Sequence, residues 1–127
     1  MTFAVECIDH VEVFVRDLEA AVEWYADVLG LRETHRWSPE PIMIGAGRNK
    51  LALFRLEPGV EPLADEARVG WRRVAWRTTE NGLAKAMQQL QRFGISFEGP
   101  VDHGVAESIY FADLDGNPLE ITCDRAS

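Results

Sequence analysis

The sequence has little of what several common protein classes need. Its 127 residues include two cysteines and three histidines, and 21 acidic against 13 basic side chains give a formal net charge of −8. This excess of acid argues against nucleic-acid binding, which needs a basic surface. No apolar run approaches the roughly 20 residues that span a bilayer, and the N-terminus lacks the basic flank and apolar stretch of a signal peptide. We therefore expect no nucleic-acid partner and no membrane association.

Scarce cysteine and histidine limit metal and redox chemistry. Cys7 and Cys123 lie too far apart in the sequence to form a CxxC-type metal pair. We interpret both as reduced, half-buried strand residues and expect a cytoplasmic location. A site of three imidazoles would use every histidine of the chain, which are His10, His35 and His103. No P-loop, nucleophile elbow or dinucleotide-binding fingerprint occurs.

The residue pattern of the first half predicts a strand, a helix and three more strands. Residues 8–15 alternate between two faces, as in a strand. Asp17 is a suitable N-cap for a helix whose apolar residues recur at helical spacing until Gly30 ends it. Short β-like segments follow at 31–37, 42–46 and 50–56, separated by turn-forming residues.

The same order of elements returns after an acidic connector at 58–70. A strand is predicted at 71–78, a helical stripe ends at Gly94, and strands follow at 95–97, 108–113 and 119–123. His10-Val-Glu-Val aligns with Arg73-Val-Ala-Trp, and Leu53 aligns with Glu120. We therefore predict an α+β fold in one domain, residues 1–127, in which two β-α-β-β-β modules (6–57 and 71–125) form a curved mixed sheet around a cleft.

Two segments and the duplication carry a resemblance to a known family. The opening IDHVEVFVRDLEAAVEWYADVLGL and the closing SIYFADLDGNPLEI resemble the vicinal oxygen chelate superfamily, which includes glyoxalase I, type I extradiol dioxygenases, fosfomycin-resistance enzymes and bleomycin-binding proteins. The resemblance covers nearly the whole chain. It implies a small-molecule ligand or substrate and a homodimer.

The second half is similar to the motif of the extradiol dioxygenases. Five residues separate His103 from the Ile109-Tyr110 pair, and an Asp-Leu-Asp-Gly turn then leads to Glu120. This resemblance implies that Glu120 and His10 bind a divalent metal (Fe, Mn, Ni or Zn). It also implies that His103 and Tyr110 are catalytic groups that transfer protons.

Arg73 departs from that pattern, because it stands where the family has its second metal-binding histidine. A guanidinium group carries a permanent charge and no acceptor lone pair, so it cannot bind a cation. Arg73 can form an ion pair with Glu120 or Glu12, bind a substrate carboxylate or phosphate, or do both. A third metal ligand could come from Glu12 or His35. His10 could equally be only a hydrogen-bonded structural histidine.

Two functions from different classes follow from these residues. The first is a small-molecule protein of the glyoxalase or extradiol-dioxygenase type with an incomplete metal site. The alternative is a metal-free protein of the bleomycin-resistance type that binds or sequesters an apolar or cationic ligand, and a partner domain without any ligand is a third option. In either of the first two, Phe14 and Trp37 are expected to contact the ligand together with Arg73.

Overall fold

The chain folds as two modules with the same order of elements. The computed structural model describes residues 6–60 and 72–125, which belong to two compact units that separate after Val60. The described part of each unit contains one helix and one four-stranded mixed sheet in β-α-β-β-β order. The predicted α+β class with two β-α-β-β-β modules is confirmed. Most of the predicted connector, and the strand start predicted at residue 71, lie outside the described residues.

The first module is built on a sheet with the strand order β1-β4-β3-β2. Strands β1 and β4 are parallel, and the remaining neighbours are antiparallel. The elements are β1 Val11–Val15, α1 Leu18–Leu29, β2 Arg32–Arg36, β3 Ile42–Ala46 and β4 Asn49–Arg55.

The second module repeats this topology, with the strand order β5-β8-β7-β6 and a parallel pair formed by β5 and β8. Its elements are β5 Val74–Thr78, α2 Glu80–Arg92, β6 Glu98–Asp102, β7 Ala106–Ala112 and β8 Pro118–Asp124. In each module one face of the sheet packs against the module's own helix. We call the opposite face the helix-free face.

Local signals set the ends of α1 where the sequence predicts them. The Asp17 side chain accepts a hydrogen bond from the backbone N–H of Ala20 at 3.0 Å, which satisfies one of the free donors in the first turn of α1. Gly30 ends this helix with φ of 70°, a conformation that glycine adopts without a Cβ clash. Thr79 caps α2 in the same way, by accepting from the N–H of Gly82.

Two predictions about strands are wrong. The strand predicted at 95–97 lies instead at Glu98–Asp102. The prediction missed it because Gly99-Pro100 is typical of a loop. An edge strand tolerates proline, however, since its missing N–H can face away from the sheet. Strand β1 begins at Val11, three positions later than predicted, so Cys7 lies exposed before the strand. Cys123 lies in β8, as predicted, but it is fully buried and not half-buried.

The strand register also corrects the alignment of the two halves. Ala52 of β4 pairs with Glu12, whereas Glu120 of β8 pairs with Ala75. The equivalent of Glu120 is therefore Ala52 and not Leu53. A shift of one residue moves a side chain to the other face of a sheet, and Leu53 is fully buried in the core.

Candidate ligand site on the second module

Four residues form a row across the helix-free face of the second sheet. Ala75 of β5 pairs with Glu120 of β8, Glu120 pairs with Tyr110 of β7, and Tyr110 pairs with Glu98 of β6. Paired residues of neighbouring strands project to the same side. Two of the predicted site residues, Glu120 and Tyr110, are therefore neighbours on this face.

His103 contacts Tyr110 directly. It follows β6, and its backbone N–H donates to the carbonyl of Ala106 at 2.8 Å, which closes the turn into β7. The Nε2 atom of His103 and the hydroxyl of Tyr110 share a hydrogen bond of 2.5 Å, and their rings meet edge to face. Either group can be the donor, depending on the tautomer of the imidazole. Folding thus joins the two residues that the sequence predicts as proton-transfer groups.

Arg73 lies over the aromatic ring of Tyr110. Its guanidinium carbon is 4.6 Å from the centroid of the tyrosine ring, within the range of a cation–π interaction. Arg73 lies one position before β5 begins, and its contact with the Tyr110 ring places its guanidinium group on the helix-free side of the sheet. The predicted ion pair of Arg73 with Glu120 or Glu12 stays a prediction.

A cavity of about 710 Å³ adjoins this cluster. Arg73, Tyr110 and Glu98 contribute to its wall, whereas His103 and Glu120 are not part of it. The rest of the wall is mixed apolar and polar and includes Arg72, Phe97, Val101 and Phe111. This volume lies within the range of small-molecule sites.

The turn between β7 and β8 depends on Asp113, to which sequence reasoning assigned no role of its own. Its side chain is 6% exposed and accepts hydrogen bonds from the backbone N–H groups of Asp115 and Asn117 at 2.8 and 2.9 Å. The Asn117 side chain donates a third bond, of 2.8 Å. The sequence could have indicated this role, because Asp113 is followed by turn-forming residues. An aspartate in such a position commonly accepts a hydrogen bond from the backbone N–H two positions ahead.

His10 lies in the first module between two carboxylates. Its Nδ1 is 2.8 Å from Asp9 and its Nε2 is 3.0 Å from Glu12, while Lys50 lies 3.5 Å from the other oxygen of Asp9. The hydrogen bond with Asp9, and then the one with Glu12, raises the pKa of His10 above its usual 6.5. The same bond and the charge of Lys50 lower the pKa of Asp9. This environment favours the charged imidazolium form.

These residues do not fit a preformed metal site within either module. A metal-binding imidazole needs a neutral ring with a free nitrogen lone pair, whereas both ring nitrogens of His10 contact carboxylates. Arg73 cannot serve as a ligand. In the part of the chain that the structure describes, no three His, Cys, Asp or Glu side chains are grouped so that they could hold a metal ion. The metal roles of His10 and Glu120 stay predictions.

The two predicted aromatic contact residues lie in the first module. Phe14 is 61% exposed and pairs with Phe54 of the adjacent strand β4. Trp37 is 46% exposed, and its ring meets that of His35 at 4.3 Å between centroids. Phe54 was not predicted, although the Leu-Ala-Leu-Phe run could have indicated an aromatic residue at a strand end.

The two helices contain 12 and 13 residues. Neither has the length and apolar composition that crossing a membrane requires, and the described ranges contain no other helix.

Comparison with known proteins gives relatives that are named as dioxygenases. The chain is 32% identical over 119 residues to biphenyl-2,3-diol 1,2-dioxygenase 3 of Rhodococcus globerulus, a match that covers 91% of this chain and 62% of that protein. It is 26% identical over 119 residues to catechol-2,3-dioxygenase of Bacillus subtilis, covering 93% of this chain and 41% of that protein. The chain thus spans about half the length of these two relatives.

Solved structures show the same fold. A glyoxylase/bleomycin resistance protein/dioxygenase domain from Frankia sp. EAN1pec superposes with a TM-score of 0.84 at 22% identity, covering 98% of this chain and 96% of that chain. The fosfomycin resistance protein FosX of Listeria monocytogenes superposes with a TM-score of 0.76 at 14% identity, covering 96% of each chain. Residues 7–121 also match the family model of the Glyoxalase/Bleomycin resistance protein/Dioxygenase superfamily. The chain belongs to this superfamily.

Proposed function

We propose that the helix-free face of the second module binds a small molecule with an anionic oxygen group, in a site of the glyoxalase or dioxygenase type that lacks the usual metal set. This proposal depends mainly on the contacts among three side chains. Arg73 lies over the Tyr110 ring, and the Tyr110 hydroxyl is hydrogen-bonded to His103. Membership of a superfamily whose members act on small molecules supports this proposal.

Arg73 would bind the anionic group of the ligand. A guanidinium group offers parallel N–H donors that match the two oxygens of a carboxylate. Stacking on Tyr110 restricts the orientation of this planar group, which reduces the entropy lost on binding. The adjoining cavity gives the rest of the ligand a place to lie against partly apolar walls.

Tyr110 and His103 would move a proton between ligand and solvent. The tyrosine hydroxyl can accept or donate a hydrogen bond to a ligand held at Arg73, and the imidazole on its other side can exchange the proton. His103 is exposed, so it can exchange that proton with water. No step of this proposal passes through a metal ion, because Arg73 and His10 do not fit one.

The alternative proposal is a metal-free binding protein of the bleomycin-resistance type. The observation that favours it is the exposure of Phe14 and Trp37 in the first module, since such aromatic surface suits planar apolar or cationic ligands. The acidic net charge of the chain also favours a cationic ligand. Such a protein would bind its ligand without converting it.

Binding measurements separate the two candidates. Small carboxylates, catechols and planar cations are screened by thermal shift with and without EDTA, and each hit is then measured by calorimetry and incubated for turnover. For an anionic hit, Arg73→Gln should weaken binding by about tenfold or more, since it removes a charge-assisted contact. Tyr110→Phe should abolish turnover and change affinity little.

The matched control is Arg77→Gln, on the same side of β5 as Arg73 but 3.8 Å from Asp124. It should leave both properties unchanged. Equal binding by wild type and Arg73→Gln would reject the anion site. A ligand that needs Phe14 and Trp37, and is never converted, would establish the alternative.

We further propose that the chain forms a homodimer and is cytoplasmic. Each four-stranded sheet ends in edge strands, β1 and β2 or β5 and β6, and edge strands often pair with another copy. Light scattering coupled to size-exclusion chromatography gives the mass directly, and a monomeric mass at every protein concentration tested would contradict the dimer.

A further inference from the structure

We infer that Arg73 is the residue that excludes a divalent metal ion from the helix-free face of the second module, and that Arg73→His alone would convert this face into a metal-binding site. The inference concerns metal binding in the absence of any ligand. It therefore goes beyond the proposed function and can be tested separately from it.

The position of Arg73 beside Glu120 carries the first step. Ala75 pairs with Glu120 across β5 and β8, and Arg73, one position before β5, contacts the Tyr110 ring on the side of the sheet that Glu120 shares. Side chains in this diagonal relation lie within reach of one another when they are long. A cation bound at Glu120 would therefore lie next to a permanent positive charge.

Tyr110 holds the guanidinium group of Arg73 in place. It pairs with Glu120 across β7 and β8, and its ring lies 4.6 Å from the guanidinium carbon of Arg73. The guanidinium is thus held above the strand next to Glu120 rather than extended into water. Repulsion of a cation at Glu120 is for this reason a property of the folded sheet and not of a freely moving side chain.

The same row otherwise suits a divalent ion. Glu120 supplies carboxylate oxygens, which are good ligands for divalent metals, whereas Glu98 lies two strands away from it, on the far side of Tyr110. An imidazole in place of Arg73 would remove the repelling charge and add a nitrogen ligand beside Glu120. One substitution would thus change position 73 from a group that repels a cation into one that binds it.

Zinc binding to the whole chain tests the inference. Wild type, Arg73→His and Arg77→His are stripped of metal, dialysed against Zn²⁺ and counted by mass spectrometry of the metal, with affinities from calorimetry. Wild type and Arg77→His should retain less than about 0.1 Zn²⁺ per chain, and Arg73→His about one. The affinity of Arg73→His should be about 100-fold higher, because one charge is lost and one ligand gained. Adding Glu120→Gln to Arg73→His should remove this gain.

A tightly held metal in the wild-type chain overturns the inference, and so does equal binding by Arg73→His and Arg77→His. Arg73→Gln removes the charge without adding a ligand and should raise zinc affinity about tenfold. Should Arg73→His fail to fold by circular dichroism, unchanged affinity in a folded Arg73→Gln would refute the inference. Failure of the anion-binding proposal leaves these counts unaffected, since no organic ligand is present.

Discussion

Asp113→Ala tests whether one buried carboxylate holds the β7–β8 turn, and with it the register that sets Tyr110 beside Glu120. The substitution removes the acceptor for three hydrogen bonds of 2.8 to 2.9 Å. Two of their donors are backbone N–H groups of the turn, which have no equivalent partner in the variant. The third donor is the side chain of Asn117.

The expected loss follows from these three contacts. Hydrogen bonds to a charged acceptor contribute about 1.5–3 kcal/mol each, so three give an upper bound near 9 kcal/mol. The true loss is smaller, because Leu114 and Gly116 of the same turn are exposed and water can reach the freed donors. We expect the free energy of unfolding to fall by about 2–4 kcal/mol, and the melting temperature by roughly 6–15 °C.

Urea unfolding, followed by the fluorescence of the four tryptophans and by circular dichroism, measures this loss. Leu114→Ala is the matched control, since it changes an exposed residue of the same turn and should stay within about 0.5 kcal/mol of wild type. Asp113→Asn keeps one acceptor oxygen and should fall between the two. A loss below about 1 kcal/mol for Asp113→Ala would refute the reasoning, because the three bonds would then contribute no more than an exposed contact.

Two further predictions concern the first module. Asp9→Asn should lower the pKa of His10, since the bond to Asp9 is the main cause of its elevation. A group whose pKa is raised on folding adds stability below its unfolded pKa near 6.5, and this stability is lost as pH rises through the folded value. NMR titration of the His10 ring measures this pKa, with Glu57→Gln as a control that should leave it unchanged. The same pKa in Asp9→Asn as in wild type would contradict the role of Asp9. Asp17→Ala should cost about 0.5–2 kcal/mol, because it removes the N-cap of α1. Urea unfolding should show this loss in Asp17→Ala but not in Glu23→Ala, and equal stability of the two variants would count against the cap.

The elements that the sequence predicts well are those with local causes. Asp17 and Gly30 define α1 because a cap side chain and a glycine with positive φ act on backbone groups within a few positions. Strand β3 has the bounds that were predicted, since apolar residues lie between two turn segments. Strand β6 was misplaced because its Gly99-Pro100 pair is typical of a loop. Its strand structure comes from pairing with β7, which the local sequence does not show.

The candidate site is only partly readable from the sequence. The spacing of His103 and Tyr110 marks both residues, and the identity of Arg73 alone shows that this position cannot bind a cation. The hydrogen bond between His103 and Tyr110, and the stacking of Arg73 over the ring, depend on which strands are neighbours. The β6–β7 and β7–β8 pairings join strands that follow one another in the chain, but the pairing of β5 with β8 joins the two ends of the module, and no local pattern encodes it.

The same distinction explains the corrected equivalence of Ala52 and Glu120. The sequence by itself determined that the chain is a duplicated α+β protein with an excess of acidic side chains and few histidines. It also determined that Arg73 stands where the family has a metal-binding histidine. The tertiary structure decided which of these side chains share a face, because face and neighbour depend on strand register. Register is fixed by long-range pairing and turn geometry, and a change of one residue in a turn reverses the side to which every following side chain points.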